Sequence, residues 1–414
     1  MTVIDGPRID FDHHSPDYRD NWERMAAALH AHDYPIARSE HHGGFWVIGS
    51  WEGIHRIATD WETFSSDNDP GNERSGARGV VIPPTPYPLM LTESDPPLST
   101  ARRQIEASFF LPRALRGWEE VARHFLDDSL GRIDPRATVD LVDEIVIPTT
   151  ARTTLSVLGF DIDNWRDAAL SAHRSSYTRP GSSDYPAEEM TRLRAEFRRM
   201  LDDRRDKARG DLVSALAHGS VQGRPLTTAE AESMMSAMVF GGFDTTTALT
   251  LNALIWLDRH REEHARLVAD PAYLHNAVEE ILRVFPSTGG LARNVMRDVD
   301  IGGQRLRAGE RIYLWLAAGN RDPHRFADPT AVRLGRENAR EHLSFSAGAH
   351  RCLGAPLAKL EARIMIATIL SRFPDYRIDH DGLERYPSYG SILGLSRVPI
   401  RLEPDAAVRT HSKE

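Results

Sequence analysis

The chain of 414 residues contains one cysteine, Cys352, so no disulfide can form within it. It also lacks a basic excess: the formal net charge is -9, which argues against nonspecific nucleic-acid binding. We find no low-complexity run, internal repeat or Ser/Gly linker, and therefore expect a single domain over residues 1–414. With 41% hydrophobic and 27% charged residues, the composition is typical of a folded protein large enough to bury a large ligand.

Residues 1–20 lack an apolar run that could form a signal peptide or a membrane span. We therefore expect no membrane span and a cytoplasmic location. Two short strands are predicted at residues 35–39 and 45–49, joined by a turn that contains His41 and His42. No further histidine or cysteine follows at a zinc-like spacing, so these two histidines are expected to be exposed turn residues without a metal.

The single cysteine lies in a patterned loop at residues 345–354. On count alone, a solitary cysteine is more often a small core residue than a ligand. Here Gly348 and Gly354 let the backbone approach a flat ligand, and the apolar spacing of residues 353–370 predicts a helix directly after Cys352. Unpaired amides and the helix dipole favour a thiolate at such a position, as an axial ligand of haem iron requires.

The loop resembles the cysteine signature of the cytochrome P450 family. The matching positions are Phe345, Gly348, His350, Cys352 and Gly354. Ser346 departs from the pattern, because the family usually has glycine there. The resemblance implies a mainly α fold with a small β lobe (α+β), a triangular helical prism around a buried haem, with the β lobe drawn mainly from residues 30–60, 291–316 and 376–403. It also implies that Cys352 is the axial ligand of the iron.

A second landmark interrupts the long apolar helix predicted over residues 228–257. Residues 241–247 read Gly-Gly-Phe-Asp-Thr-Thr-Thr, and two adjacent glycines cost about 1 kcal/mol each relative to alanine in a helix. A tightly packed kink could account for them. The resemblance instead implies an oxygen-binding groove, in which Gly241 makes room for dioxygen, Asp244 relays protons and Thr245 hydrogen-bonds the reduced oxygen at the haem.

A third landmark is a charged pair, Glu280 and Arg283, which lie three residues apart and so on one helix face. Alone, such a spacing usually marks a solvated pair of little energetic value. Residues 320–336, however, resemble the meander of the P450 family. The resemblance implies that its Arg336 joins Glu280 and Arg283 in a buried ion network that braces the haem.

Haem propionates need cationic partners, and the resemblance assigns this role to Arg103, Arg293 and His350. Arg103 follows an Asp-Pro-Pro helix start at residues 95–97. The family often has a histidine four residues before this arginine. Here Ser99 occupies that place, so one propionate contact is expected to be weaker or supplied elsewhere.

The long loop at residues 65–90, dense in Gly, Pro, Ser and Asn, is expected to cover a substrate pocket. Residues expected to line the pocket by resemblance are Tyr87, Ala237, Phe240, Leu291, Ile392 and Leu393. Tyr87 could equally pack against neighbouring prolines. These side chains favour a hydrophobic substrate such as a terpenoid or another secondary metabolite, although Arg78 could anchor an acid.

The resemblance implies a haem-thiolate monooxygenase that inserts one atom of O2 into a hydrophobic small molecule by hydroxylation or epoxidation, with haem b as cofactor. No flavin or iron-sulfur region is visible, so electrons from NAD(P)H are expected to arrive through a separate ferredoxin and ferredoxin reductase. Cationic residues that could attract an acidic carrier are Arg102, Arg113, Arg116, Arg351, Lys359 and Arg363. We expect a monomer.

Two rival functions remain open. A peroxygenase would use hydrogen peroxide directly, but such enzymes generally lack the acid and threonine pair that Asp244 and Thr245 supply. A haem sensor or carrier without enzymatic activity would need neither the grooved helix nor the pocket loops.

Overall fold

Helices dominate the computed structural model, which describes residues 7–32, 34–69, 78–84, 89–134, 136–178, 182–387 and 392–402. The α-helices are α1 (Pro16–His30), α2 (Trp51–Thr59), α3 (Leu98–Ala107), α4 (Pro112–Gly131), α5 (Ile147–Leu158), α6 (Trp165–Tyr177), α7 (Ala187–Asp206), α8 (Leu212–Ala217), α9 (Thr228–Gly242), α10 (Asp244–Arg259), α11 (Arg261–Ala269), α12 (Leu274–Val284), α13 (Leu316–Gly319) and α14 (Ala355–Arg372). The expected mainly α fold with a small β portion is confirmed. In the described part of the chain, no helix combines the length and apolarity needed to cross a bilayer.

The strands are short and form several small sheets. They are β1 (Ile36–Ser39), β2 (Phe45–Ile48), β3 (Phe64–Ser65), β4 (Thr138–Asp140), β5 (Ser220–Val221), β6 (Arg224–Pro225), β7 (Leu291–Val295), β8 (Val299–Ile301), β9 (Gln304–Leu306), β10 (Arg311–Leu314), β11 (Arg377–Ile378), β12 (Glu384–Arg385), β13 (Leu395–Arg397) and β14 (Pro399–Arg401). The largest sheet has the order β1-β2-β10-β7-β3. Its β2–β10 pair is parallel, and the other pairs are antiparallel.

The β segments divide between two places. Residues 30–60 and 291–316 supply four strands of the five-stranded sheet, whereas no described strand of residues 376–403 joins it. Instead, β14 pairs with both β11 and β4, and β12 pairs with β13. The partner strand β4 has only three residues, too few for alternation of polar and apolar residues to predict a strand.

Local sequence explains where the long central helix pair starts and breaks. Thr227 and Glu230 form a capping box at the start of α9, in which each side chain satisfies a backbone amide at the helix end. The helix is interrupted between α9 and α10 at Phe243, whose φ of -86° and ψ of -72° stay right-handed but depart from ideal helical values. Gly242 lies against Thr154 of α5, since a Cβ there would be 2.6 Å from the threonine side chain. The kink therefore coincides with a close helix contact, which a larger residue would prevent.

The main hydrophobic core lies between the helices that flank this break. Phe197 of α7, Leu254 of α10 and Ile366 of α14 are all fully buried in it. Burial of such side chains stabilises the fold by about 1.5–3 kcal/mol each. The core thereby holds the broken helix rigidly in front of the loop that precedes α14.

Candidate functional site

A cavity of about 1180 Å³ lies between the broken helix and the cysteine loop. Gly241 at the end of α9, Thr245 in α10 and Cys352 before α14 all line it. Small-molecule pockets usually measure roughly 300–1,000 Å³. The volume is therefore sufficient for a large prosthetic group with a second molecule beside it.

Cys352 is exposed toward this cavity and is held by its own loop. Its backbone amide donates to the carbonyl of Phe345 at 2.9 Å, which closes the loop on itself. Burial raises the pKa of the Cys352 thiol, while the amides of Gly354 and Ala355 and the charge of Arg103 act in the opposite direction. The expected helix-terminus amides are thus present, but burial outweighs them, and a bound metal ion would have to complete the deprotonation of the sulfur.

Three side chains that can donate hydrogen bonds converge on the same cavity. Arg103, Arg293 and His350 all line it, and the two arginines contribute to lowering the pKa of His350 to about 3, after the larger effect of burial. Arg293 is 2% exposed and donates to the carbonyl of Ala292 at 2.8 Å. Burial lowers its pKa to about 10. Within the described chain, neither arginine has an ion-pair partner.

These unpaired groups provide a test of whether haem fits the site. Both ring nitrogens of His350 are buried and have no hydrogen-bond partner among the described residues. Buried polar groups without partners are uncommon in folded proteins and need an explanation. Two carboxylates of a prosthetic group would supply acceptors for His350, Arg103 and Arg293, and Cys352 would supply a sulfur ligand. The donor set therefore fits a haem.

The glycines of the cysteine loop have different roles from one another. Gly354 lines the cavity and could lie beside a flat ligand, as expected. Gly348 is not among the described residues that line the cavity; it has φ +67°, and a Cβ there would be 2.4 Å from the carbonyl oxygen of Ala58. We expected Gly348 to approach the ligand, but its absence of a side chain instead allows the loop to pack closely on α2.

Ser346 has a left-handed backbone, with φ 57°. Residues other than glycine pay roughly 1–2 kcal/mol for this conformation. The departure at Ser346 therefore strains the turn and adds a hydroxymethyl group at the cavity wall, but it removes none of the side chains expected to bind haem. Ser99, the other departure, is fully buried, and its hydroxyl has no hydrogen-bond partner in the described part of the chain.

At the helix break, Gly241 and Thr245 are adjacent on the cavity wall. A Cβ added to Gly241 would have no described heavy atom within 4 Å, so the backbone faces open space there. The hydroxyl of Thr245 donates to the carbonyl of Gly241 at 2.6 Å. Ser287, which also lines the cavity, donates to the carbonyl of Thr245 at 2.6 Å and holds this turn in place. The structure therefore brings Gly241 and Thr245 together with Cys352 around one cavity.

Asp244 points away from this cavity. It is 2% exposed, and it is not among the described residues that line the cavity. Its Oδ1 lies 2.5 Å from Nδ1 of His173 and accepts a hydrogen bond from the hydroxyl of Tyr386 at 3.0 Å. The expectation of direct proton delivery from Asp244 therefore needs correction: the carboxylate is held by two side chains and must exchange these bonds before it can act in the cavity.

Sequence reasoning did not identify His173 or Tyr386. They lie 71 and 142 residues from Asp244, on α6 and after β12, so no local spacing connects them. Burial lowers the pKa of His173, but the charge of Asp244, their hydrogen bond and the charge of Asp143 outweigh it and raise the pKa. A histidine isolated in a helix gives no indication of such a partner in the sequence.

The charged residues of α12 and the meander meet in the interior. Both side chains of the Glu280–Arg283 pair are fully buried, with Nε of Arg283 2.8 Å from Oε2 of Glu280. Nε of Arg336 lies 3.0 Å from Oε1 of the same carboxylate. Arg283 also donates to the carbonyls of Asn320 and Pro329, so its charge is fully satisfied. The three residues expected to form a network are thus in contact.

The residues expected to line the substrate pocket divide into three groups. Ala237, Phe240, Leu291 and Ile392 line the cavity. Leu393 is not among the described lining residues and packs instead against the core cluster that contains Trp315, because its neighbour Ile392 takes the cavity side of this chain segment. Tyr87 lies outside the described residues.

The cationic residues near the cysteine loop are not equally accessible. Arg102 is 5% exposed and bonds to Glu230 at 2.6 Å, so it cannot attract an external protein as expected. Lys359 bonds to Glu279 at 2.9 Å. Arg113, Arg116 and Arg351 are exposed, and Arg363 is half-buried.

Comparison with known proteins identifies the family. The family model described as cytochrome P450 matches residues 180–381. The erythromycin C-12 hydroxylase of Saccharopolyspora erythraea is 30% identical, with 86% of this chain and 89% of that protein covered. The cytochrome P450 monooxygenase PikC of Streptomyces venezuelae is 33% identical, with 75% of each covered. A solved cytochrome P450 from Chondromyces apiculatus superposes with a TM-score of 0.83 and 28% identity, over 96% of this chain and 99% of that one.

The similarity extends over the helical body, the sheets and the cysteine loop together. Structures in this family share the fold seen here, and the relatives carry the names of hydroxylases and monooxygenases. Membership implies haem and O2 as the reacting partners of the site. The chain belongs to the cytochrome P450 family and is an enzyme of the monooxygenase class.

Proposed function

We propose that this enzyme inserts one atom of O2 into a bulky hydrophobic small molecule, using electrons from a separate ferredoxin and its reductase. The observation that carries the proposal is the arrangement around one cavity: Cys352, Thr245 and the trio of Arg103, Arg293 and His350 all line it. A sulfur ligand, a hydroxyl on a broken helix and unpaired cations are the groups that haem-thiolate chemistry uses.

The chain's own residues have distinct tasks in this proposal. Cys352 holds the iron, and Arg103, Arg293 and His350 bind the propionates and fix the orientation of the macrocycle. Bound haem supplies the oxidising power for the reaction with O2. The hydroxyl of Thr245 donates to the carbonyl of Gly241, and a rotation about its side chain would present its proton to the open space beside Gly241. Glu280, Arg283 and Arg336 keep the meander rigid from the interior.

Asp244 is the second group in this proposal that can carry a proton, and it lies behind the cavity wall. The pair with His173 keeps the carboxylate out of the cavity, and the hydroxyl of Tyr386 offers it a second donor. We propose that a rotation of Asp244 away from His173 gives Thr245 access to a proton donor. Proton supply thereby depends on a pair that must open in each cycle.

The substrate class is inferred from the cavity wall and from one relative. Ala237, Phe240, Leu291 and Ile392 present apolar surface, and the volume of about 1180 Å³ leaves space beside a macrocycle. The relative named erythromycin C-12 hydroxylase acts, by its name, on a large secondary metabolite. Both facts support a secondary metabolite or terpenoid over a small acid, and hydroxylation over other oxidations.

For electron supply we propose an acidic ferredoxin that docks beside the cysteine loop and is reduced with NAD(P)H by its reductase. Arg113 and Arg116 at the start of α4 and Arg351 next to Cys352 are exposed cations. The main chain of Arg351 accepts a hydrogen bond from Arg103 at 2.5 Å, which connects this surface directly to one of the proposed propionate-binding residues. Complementary charge would speed the encounter with an acidic carrier.

The test is turnover under isotope-labelled dioxygen. Candidate terpenoids and macrolides are first screened for a low-spin to high-spin shift of the Soret band in the haem-loaded enzyme. A ligand that shifts the band is then incubated with ferredoxin, reductase and NADPH. We expect a product that carries one labelled oxygen atom. Label taken from hydrogen peroxide, with higher turnover than from O2, would instead identify a peroxygenase, and absence of product for every spin-shifting ligand and reductase pair would favour a haem sensor.

A second experiment tests the ligand without turnover. Because the chain has one cysteine, a thiol-reactive dye reports on Cys352 alone. We expect the haem-free protein to react and the haem-loaded protein to be protected. Equal labelling of both forms would contradict iron ligation by Cys352. The single-domain organisation, the monomeric state and the cytoplasmic location stay predictions from the sequence.

A further inference from the structure

Three histidines from distant parts of the sequence meet at the N-terminal side of the cavity. One ring nitrogen of each of His13, His14 and His42 lies within 4.8 Å of the other two. The ring centroids of His13 and His14 are 4.2 Å apart, and those of His14 and His42 are 5.3 Å apart. His42, for which the sequence suggested no metal-binding partner, therefore has two histidine neighbours, because the N-terminal segment folds back across the β1–β2 turn.

The hydrogen bonds of two of these rings fix their tautomers. Nε2 of His14 lies 2.7 Å from the carbonyl oxygen of Ile82, and a carbonyl can only accept. Nε2 of His42 lies 2.8 Å from Oδ1 of Asp12, again an acceptor. Each Nε2 therefore carries the proton, and each Nδ1 carries the lone pair. Metal-binding histidines typically have this arrangement, with a carbonyl or carboxylate on the outer nitrogen.

The third ring is buried and lacks a partner for one nitrogen. His13 is 2% exposed, and its Nδ1 has no hydrogen-bond partner among the described residues. Its ring packs beside Tyr313 with centroids 4.8 Å apart. A buried imidazole whose Nδ1 has no partner among the described residues is available as a ligand.

We propose that His13, His14 and His42 form a binding site for a divalent transition metal, with Zn²⁺ as the preferred ion. Three imidazoles suit Zn²⁺, Ni²⁺ and Cu²⁺ rather than Mg²⁺ or Ca²⁺, which select oxygen ligands. Zn–N bonds of about 2.0–2.1 Å place tetrahedral ligand nitrogens about 3.3 Å apart. The ligand nitrogens, now within 4.8 Å of one another, would have to approach by up to about 1.5 Å through side-chain rotation.

The metal would join three segments at the edge of the cavity. His13 and His14 belong to the N-terminal segment, His42 to the turn between β1 and β2, and Ile82 to the segment that His14 contacts. His14 and His42 also line the cavity. Three protein ligands leave one tetrahedral position for water or for an oxygen atom of a molecule in the cavity. The site is separate from Cys352 and does not depend on the proposed reaction.

Charged groups of both signs surround the site. Oδ1 of Asp12 accepts from His42 at 2.8 Å, so one carboxylate lies beside the three rings, whereas Asp10 bonds to the neighbouring His41 at 2.6 Å. Arg38, Arg78 and Arg311 line a small cavity together with His42, and Arg38 is paired with Glu310 at 3.0 Å. The Asp12–His42 bond can remain when a divalent ion binds, because it uses Nε2 of His42 and leaves Nδ1 for the metal.

Equilibrium dialysis with Zn²⁺ tests the proposal. The full-length, haem-loaded protein is stripped with a chelator, dialysed against dilute zinc chloride and analysed for bound metal, with an unchanged Soret band as the check of folding. We expect one equivalent of zinc in the wild type. His42→Ala should lower the affinity by at least about tenfold, and Asp12→Asn by about tenfold through loss of the outer hydrogen bond.

His41→Ala is the matched control, because His41 occupies the same turn and bonds to an aspartate but lies outside the cluster. It should bind zinc like the wild type. His14→Ala provides a second variant should His42→Ala disturb the turn. The proposal is overturned if the wild type binds no zinc, or if His41→Ala weakens binding as much as both cluster variants do, since the 18 histidines would then bind zinc nonspecifically.

Discussion

His173 and Asp244 form a buried pair directly behind the break in the long helix. Nδ1 of His173 is 2.5 Å from Oδ1 of Asp244, and the side chains are 6% and 2% exposed. The hydroxyl of Tyr386 contacts the same carboxylate oxygen. This pair holds Asp244 away from the cavity, and in the proposed function its opening would determine when a proton can leave Asp244.

The pair makes stability depend on pH in a defined direction. The pKa of His173 is raised above 6.5 because Asp244 and Asp143 outweigh burial, so folding favours the charged imidazole. Its contribution is complete below the unfolded pKa and is lost as the pH rises through the folded pKa. Tyr177 and Tyr386 also face the ring, and burial raises the pKa of Tyr177 further above this range.

We therefore predict that His173→Gln destabilises the enzyme most at about pH 6 and progressively less toward about pH 9. Urea unfolding of both proteins across this range measures the difference. His264→Gln is the control with the opposite sign, because burial lowers the pKa of His264 and its contribution is lost as the pH falls. A difference for His173→Gln that is constant or grows with pH would contradict a charged pair.

Thr245→Ala is predicted to retain haem and substrate binding but to uncouple the reaction. Without the hydroxyl that bonds to Gly241 on the cavity wall, protons are delivered poorly and electrons are diverted to hydrogen peroxide. The measurement is the ratio of peroxide to product per NADPH consumed, which should rise severalfold. Thr250→Ala removes a buried hydroxyl five residues further along α10 that likewise bonds to the carbonyl four residues earlier, and it should leave the ratio unchanged. An unaltered ratio in Thr245→Ala would remove Thr245 from proton delivery.

Reversal of two exposed charges should slow electron transfer. The double variant Arg113→Glu and Arg116→Glu is predicted to reduce the rate of haem reduction by ferredoxin at least about tenfold at low salt, with less effect at high salt. Stopped-flow reduction measures this rate. Arg305→Glu with Arg307→Glu changes the net charge equally on the β8–β9 hairpin and should have no effect. Equal rates for the two double variants would place the docking surface elsewhere.

Ser346→Gly is predicted to stabilise the enzyme by about 1–2 kcal/mol, because glycine adopts the left-handed conformation of this turn without the steric cost of a side chain. Thermal unfolding of the haem-loaded enzyme measures the gain. Gly348→Ala should have the opposite effect, since its Cβ would lie 2.4 Å from the carbonyl oxygen of Ala58. A loss of stability in Ser346→Gly would mean that the serine side chain supports the loop.

The sequence could predict the fold and the residues whose neighbours are close along the chain. The cysteine loop, the glycine pair at the helix break and the Glu280–Arg283 spacing are local patterns, and each lies where the pattern indicated. Contacts between distant segments could not be predicted this way. The resemblance led us to expect Asp244 in the cavity, and no spacing in the sequence connects it to His173. Arg102 was expected on the surface, and its partner Glu230 lies 128 residues away in the sequence.

The same limit explains the two remaining corrections. Gly348 fits a ligand-binding pattern, but only the packing of α2 on the loop reveals the carbonyl of Ala58 beneath it. Leu393 and Ile392 are adjacent in sequence, and only the course of the backbone decides which one faces the cavity. The histidine cluster likewise depends on the return of the N-terminal segment across the β1–β2 turn.

Iron ligation by Cys352 is the claim on which the function depends, and the absorption spectrum of the reduced, carbon-monoxide-treated enzyme tests it most directly. We predict the red-shifted Soret band of thiolate ligation in the wild type. Cys352→His should keep haem through Arg103, Arg293 and His350 but should show the band of imidazole ligation. A folded, haem-loaded wild type with the same Soret position as Cys352→His would contradict the assignment.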